Sequence, residues 1–362
     1  MNSHSRLVVR QDKPFNAGPP LELLGQSKVT PNDLFFVRNH GDIPTMDAAR
    51  YRLTVDGLVP HTISLSLEDL RGNFSKVTVE ATLQCAGNRR QELMAVQPIP
   101  GELGWDAEAI SNAVWTGVPL QEVLTAAGLD RTDEPSRHVA LAGLDTTERQ
   151  NRRFNFGGSI PLEKALGREV ILAYEMNGEP LTPAHGFPLR LVVPGYIGAR
   201  SVKWLSRITL QAAPSDNYFQ AQAYRLFPPH AQAESVDWST GLMLGETSVN
   251  AVICSPVNLA RIPAGAVVAQ GYAAAGGGRR IERVDISSDG GNTWLVAELC
   301  GPAARWSWRL WQARLDLEPG QHEIVVRAVD SAANMQPEAI SSVWNFKGYM
   351  NNAWHRIQLS VR

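Results

Sequence analysis

Cys85 ends a strand-like run, VTVEATLQC (77–85), and is followed by Ala86, Gly87, Asn88, Arg89 and Arg90. A thiolate needs positive charge nearby to lower its pKa, and Arg89 and Arg90 can supply it. The small residues at 86 and 87 let something bulky approach the sulfur. An inert core cysteine is the competing reading. Cys254 and Cys300 lie inside strand patterns and read as core. A second cluster, Arg38, Asn39 and His40, sits in FFVRNHG (35–41) behind an aromatic pair. Its donors suit a loop that grips an anion or a heteroaromatic ligand, against the plainer reading of a capped turn. Further on, HGFPLR (185–190) precedes a strand and GYIGARSVK (195–203) follows one. A Gly-rich turn ending in Ser201 and Lys203 can hold a phosphate with backbone N–H groups and a cation. No zinc spacing, P-loop, G-x-G-x-x-G or Cys-x-x-Cys-His is present, and the last absence argues against covalent haem.

The elements that must position these residues divide into two sets. Up to about Gly245 short strands and helices alternate. Strands are expected at 50–59, 77–85, 170–174, 189–193 and 201–210. Ser66 and Asp69 read as the cap of a short helix, and 119–127 as another helix stopped by Gly128. Asn177-Gly178 is a hairpin signal. After Gly245 helical patterns vanish. Strand-like runs at 249–257, 266–273, 281–287, 294–299, 306–317 and 322–329 are spaced by Gly, Pro or Asp-Gly turns, which argues for an immunoglobulin-like sandwich of about seven strands. The fold class is therefore α+β, with a mixed domain over 1–245 and an all-β domain over 246–362.

The chain has 362 residues, 34 basic and 36 acidic, with a formal net charge of -2. That balance excludes a strongly basic nucleic-acid scaffold. Only six of the basic residues are lysines, so finding Lys203 and Lys347 beside candidate site residues is informative. No apolar run approaches the ~18 residues of a membrane helix, and no export signal is visible, so a cytoplasmic enzyme is expected.

Together these segments resemble the sulfite oxidase family of molybdenum enzymes, most closely the plant type that lacks a haem domain. The carriers include FFVRNHG (35–41), ATLQCAGNRR (81–90), AISNAVWTGVPL (109–120), LAYEMNGEPL (172–181), HGFPLRLVVPGYIGARSVKWL (185–205), AYRLFPP (223–229), RAVDSAANMQPE (327–338) and VWNFKGYMNNAWHR (343–356). The resemblance implies that Cys85 binds molybdenum, with two further sulfurs from the dithiolene of molybdopterin. It assigns the pterin and its phosphate to Phe36, Val37, Arg38, Asn39, His40, Asp145, His185, Arg190, Ser201, Val202 and Lys203. It assigns the substrate cage to Arg38, Arg90, Tyr224 and Trp105, with Lys347 where the family has an arginine, so that the cation is kept but its planar fork is lost. The implied reaction is oxygen-atom transfer to sulfite, giving sulfate, with electrons passing to oxygen or a separate cytochrome. No haem, nucleic acid or membrane partner is expected. The second domain is expected to build a homodimer, with Trp306, Trp308 and Trp311 offering one face to the sandwich and another to a second subunit. A nitrate reductase-type molybdenum domain is the rival, disfavoured by Tyr224. A cofactor-binding dimer without activity is the third reading, resting on Lys347.

Overall fold

The computed structural model of the chain describes residues 6–129, 137–149 and 151–362. The first half holds two five-stranded sheets. One runs Glu179–Pro180, Ile171–Met176, Ile110–Pro119, Val77–Gln84, with Arg190–Val192 also paired to Ile171–Met176. The other runs Ile63–Leu65, Leu53–Gly57, Leu205–Gln211, His138–Arg149, Arg152–Pro161. Leu53, Val55, Leu141 and Ile208 of the second sheet share one core with Val118 and Leu172 of the first. The opposite face of the first sheet carries Ala81, Leu83, Trp115 and Cys85 into a separate core with Phe35 and Phe36. Strand alternation thus puts Cys85 on the face of Ala81 and Leu83, one residue beyond the strand end.

The local signals hold where they rest on backbone chemistry. Ser66 Oγ accepts from the Asp69 N–H at 3.0 Å and Asp69 accepts from the Ser66 N–H at 2.8 Å, a complete capping box for Leu67–Asn73. Asn177 and Gly178 take φ of 55° and 80° in the turn between Ile171–Met176 and Glu179–Pro180. The long hairpin His138–Arg149/Arg152–Pro161 was not anticipated. Its alternation is interrupted by Gly143, Gly157 and Gly158, and its register shifts between Ala142 and Thr146.

The second half is a sandwich. A four-stranded sheet (Asn250–Ser255, Gly265–Ala274, Arg309–Leu317, Glu298–Cys300) faces a five-stranded one (Ala260–Ile262, His355–Val361, Gly320–Asp330, Ile281–Ser287, Leu295–Val296). Ile253, Ala269, Ile286, Trp311, Val326 and Ile357 fill the space between them. The run 294–299 divides between the two sheets, so one expected strand becomes two. The strands Ala260–Ile262 and His355–Val361, parallel to each other, were not anticipated.

Two expectations need correction. Trp308 does not face outward for a second subunit. It is buried in a cluster with Leu24, Ala107 and Ile110 of the first half, and its indole donates to the Lys28 carbonyl at 2.9 Å. Trp306 packs against the core that contains Cys85. The expected open tryptophan face is consumed within the chain. Cys254 is fully buried as expected, but Cys300 is half-buried on an edge strand and is not a core residue. Among the described residues no helix is long and apolar enough to cross a membrane.

Candidate active site

The loop after Val77–Gln84 is held from both halves of the chain. Asn88 donates to the Tyr272 hydroxyl at 3.1 Å, and Asn351 donates to the Arg89 carbonyl at 3.0 Å. Arg89 and Arg90 are adjacent but do different work. Arg89 is fully buried and saturated: it makes 2.7 Å contacts to both Glu92 oxygens and to Asn250 Oδ1, and a 2.8 Å contact to the Ala353 carbonyl. Its charge is compensated, so it anchors the loop rather than activating the thiol. Arg90 turns the other way. It donates to the carbonyls of Leu103, Lys347 and Gly348 and lies over the Tyr349 ring at 5.0 Å. Gly87 and Gly348 give it room, since a Cβ at either would come within 2.6 Å of the Arg90 side chain.

Cys85 opens onto an inner pocket lined by Phe36, Arg38, His40, His185, Arg190, Lys203 and Tyr224. Its sulfur accepts from the Gly87 N–H at 3.4 Å. Arg38 and His40 also line an outer cleft of about 490 Å³, together with Glu102, Leu103, Arg149, Lys347 and Tyr349. Arg38 and His40 therefore stand on the wall between the two spaces. Tyr224 follows a single π-helical turn at Phe219–Ala223, a distortion common at functional sites. It stacks on Tyr349 with centroids 5.3 Å apart.

The proton on His40 follows from its partners. Arg38 approaches Nδ1 at 3.3 Å and can only donate, so Nδ1 accepts. Desolvation by burial, then the charge of Arg38, hold the imidazole well below its usual range, so it is neutral. Its single proton lies on Nε2 and points at the Tyr224 oxygen, 2.7 Å away. The Tyr224 hydroxyl proton is then free for another acceptor. Burial raises the pKa of that hydroxyl, which keeps it protonated.

The candidate cofactor residues separate into three groups. Phe36, Arg38, His40, His185, Arg190 and Lys203 line the inner pocket. Asp145 is near Lys203: a Cβ at Gly143 would sit 2.5 Å from Asp145 Oδ1 and 2.7 Å from the Lys203 carbonyl. Asn39 and Ser201 are buried and occupied internally. Asn39 receives the Lys203 ammonium, and Ser201 accepts from the Val193 N–H at 3.0 Å and, through its carbonyl, from Arg190 at 3.1 Å. Val37 and Val202 differ from expectation. Val37 packs its side chain with Leu7, Ala17 and Leu34, and its N–H and C=O both pair with Ala17. Val202 packs into the inter-sheet core and its carbonyl accepts from Leu191. Neither side chain faces the pocket, because strand-like alternation turns both away from their polar neighbours.

Trp105 is fully buried in the cluster of Cys85, with its indole N–H unpartnered. Lys347 lines the outer cleft and not the pocket of Cys85, and its ammonium is not free. It is bound by Glu102, whose other oxygen lies 3.5 Å from Arg90. Glu102 was missed because PGELGW reads as a solvated turn. Asn16 was missed too. It is fully buried, and its side-chain oxygen accepts from the Asn39 N–H at 2.7 Å and from Arg38 at 3.2 Å, fixing the FFVRNHG loop.

An oxidoreductase molybdopterin-binding domain matches residues 40–219, and a molybdenum-cofactor oxidoreductase dimerisation domain matches residues 242–362. The chain is 45% identical to sulfite oxidase of Gallus gallus over 98% of its own length and 78% of that protein. It is 43% identical to sulfite oxidase of Arabidopsis thaliana, covering 99% of this chain and 95% of that one. The chain belongs to the sulfite oxidase family. Its fold also matches the sulfane dehydrogenase SoxCD of Paracoccus pantotrophus, with a TM-score of 0.83, 27% identity, and coverage of 98% and 88% of the two chains.

The residues present fit the molybdopterin of this family. Arg190 and Lys203 both line the pocket, and among the described residues neither has a carboxylate ion-pair partner. Desolvation pulls the Arg190 guanidinium down to about 9 and Lys203 well below its usual range. Uncompensated cations in such surroundings call for a bound anion, as the cofactor phosphate would be. Asp145 has a buried, unpartnered Oδ1, and burial raises its carboxyl to about 6, as suits an acceptor for pterin N–H groups. Among the described residues no three His, Cys, Asp or Glu side chains converge on one point; a metal held at Cys85 would have the cofactor's sulfurs as further donors.

Proposed function

We propose that the protein oxidises sulfite to sulfate, with Cys85 as the only protein ligand of a molybdenum–molybdopterin cofactor. Sulfite and water give sulfate, two protons and two electrons. When bound, the cofactor supplies the oxygen-atom transfer and the redox change. The electrons leave to an external acceptor, oxygen or a separate cytochrome.

The chain's own residues bind and orient. Arg38, Arg90 and Lys347 attract the oxyanion into the cleft and supply charge-assisted donors. Neutral His40 holds the Tyr224 oxygen from behind, which leaves the hydroxyl to donate forward to substrate. The unpartnered indole of Trp105, buried in the same cluster as Cys85, is a further candidate donor. Phe36, His185, Asp145, Arg190 and Lys203 hold the pterin and its phosphate. Asn39 and Ser201 position two of these, Lys203 and Arg190. The division into a cofactor domain over 1–245 and a dimerisation domain over 246–362 goes with this reading, and we place the homodimer contact in the second domain.

The observation that carries the proposal is the single buried thiol at a pocket shared by Arg38 and Tyr224, in a chain of this family. The test is sulfite-dependent reduction of ferricyanide by the molybdenum-loaded protein, run beside nitrate reduction with a viologen donor. Sulfite turnover without nitrate turnover supports the proposal. The reverse result makes the chain a nitrate reductase-type domain, and activity in neither assay leaves a cofactor-binding dimer.

A further inference from the structure

Among the described residues Glu102 is the one carboxylate lining the outer cleft, and it sits among cations that the proposed function needs. One oxygen receives the Lys347 ammonium, and the other lies 3.5 Å from Arg90 Nη2. The side chains of Glu102 and Lys347 are 17% and 16% exposed, so water screens the contact only partly. Arg90 is otherwise committed to the carbonyls of Leu103, Lys347 and Gly348. Nη2 is therefore the edge it has left for an anion. A carboxylate bridging that edge and an ammonium presents two oxygens where one edge of a tetrahedral oxyanion would. It also lowers the summed charge of Arg38, Arg90, Arg149 and Lys347 from four to three.

We infer that Glu102 is a specificity-determining residue: an internal anion that competes with sulfite and sulfate for Lys347 and Arg90 and so weakens retention of dianions. The inference rests on the sulfite reading of the site. With none of these four cations compensated, the cleft would hold dianionic product tightly. A tethered carboxylate that reclaims two of them favours release. The competition falls harder on dianions than on monoanions, because each unit of ligand charge feels the removed charge.

The experiment is equilibrium binding of sulfate to the molybdenum-loaded protein by calorimetry, for wild type, Glu102→Gln and the double variant Glu102→Gln/Lys347→Met. Nitrate is the monoanionic probe. Glu298→Gln, on an edge strand of the sandwich, controls for net charge. Glu102→Gln is expected to tighten sulfate by about 5- to 20-fold, the scale of one charge-assisted hydrogen bond regained, and nitrate by less. Sulfate binding should also depend more steeply on ionic strength. The Michaelis constant for sulfite should fall more than turnover changes, and the double variant should lose the gain. Unchanged sulfate affinity in Glu102→Gln, with sulfite turnover intact, overturns the inference. An equal gain in Glu298→Gln overturns it as well, by reducing it to bulk charge. Loss of sulfite turnover in the wild type instead defeats the reading of function, and the binding comparison then judges Glu102 by itself.

Discussion

The inner pocket and the outer cleft are both lined by cations, and they treat them in opposite ways. Arg190 and Lys203 hydrogen-bond only to carbonyls and an amide oxygen and lie against ring faces, with Asp145 near Lys203 but not ion-paired to it. Lys347 and Arg90 share Glu102. An uncompensated cation in low dielectric is costly unless an anion remains bound there, so the inner set fits a resident phosphate. A compensated cation is stable with or without a ligand, which fits an anion that comes and goes. The Glu102 contact thus distinguishes Lys347 and Arg90 from the inner pair and goes with the proposed division into cofactor and substrate ground.

The sharpest break would come from Cys85→Ser, which leaves both cation sets intact. A hard hydroxyl replaces a soft thiolate, so sulfite-dependent ferricyanide reduction should fall by roughly 10³-fold or more. Circular dichroism and the fluorescence of released pterin should stay near wild type. Wild-type turnover in this variant would detach the thiol from the chemistry. Next, Arg190→Met should lower cofactor affinity by roughly 10- to 100-fold, the loss of a charge-assisted contact. Pterin released per chain reads this out, and full occupancy would end the argument that Arg190 answers a resident anion.

Lys347→Met belongs to the outer set. It should leave pterin content unchanged and raise the Michaelis constant for sulfite about 3- to 10-fold. Lys347→Arg should change it by no more than about twofold, because Glu102 already occupies the position's charge. A loss of pterin in either would erase the distinction between the two regions. The smallest effect concerns pH. Asp145 has its carboxyl raised from 3.8 to about 6 by burial. The folded cofactor-free protein therefore holds this proton more tightly than the unfolded chain does. The associated stability is complete below about pH 3.8 and is lost as pH rises through about 6. Melting temperatures of cofactor-free wild type and Asp145→Asn should diverge across that interval, and parallel curves would show that Asp145 is not buried as described.

Much of this was legible in the chain, for identifiable reasons. The Ser66–Asp69 cap and the Asn177-Gly178 turn are local chemistry, and they stand where the residues put them. Cys85 was legible because its strand alternates up to the sulfur. Glu102 was not, because its meaning depends on Lys347, which arrives from the far end of the chain. Asn16 was hidden for the same reason, as its partners are 22 and 23 residues away in an irregular segment. The tryptophans misled because alternation tells which residues share a face, not what covers that face. Here the first half covers it through Leu24 and Ala107.

The anchoring of the cysteine loop has a consequence for how the enzyme is made. Met350 donates to the Ala86 carbonyl at 2.7 Å, and Asn351 reaches the Arg89 carbonyl across 262 residues of sequence. At ribosomal speeds of about 5–20 residues per second, these partners are made on the order of 10–50 s after Cys85. Throughout that interval the nascent chain can form the first-half sheets, but the thiol's loop lacks its supports. Cofactor loading is therefore expected to await the finished polypeptide. A message cut short between codons 203 and 350 would yield a chain that carries every proposed pterin-binding residue and is expected to fail to seat the metal.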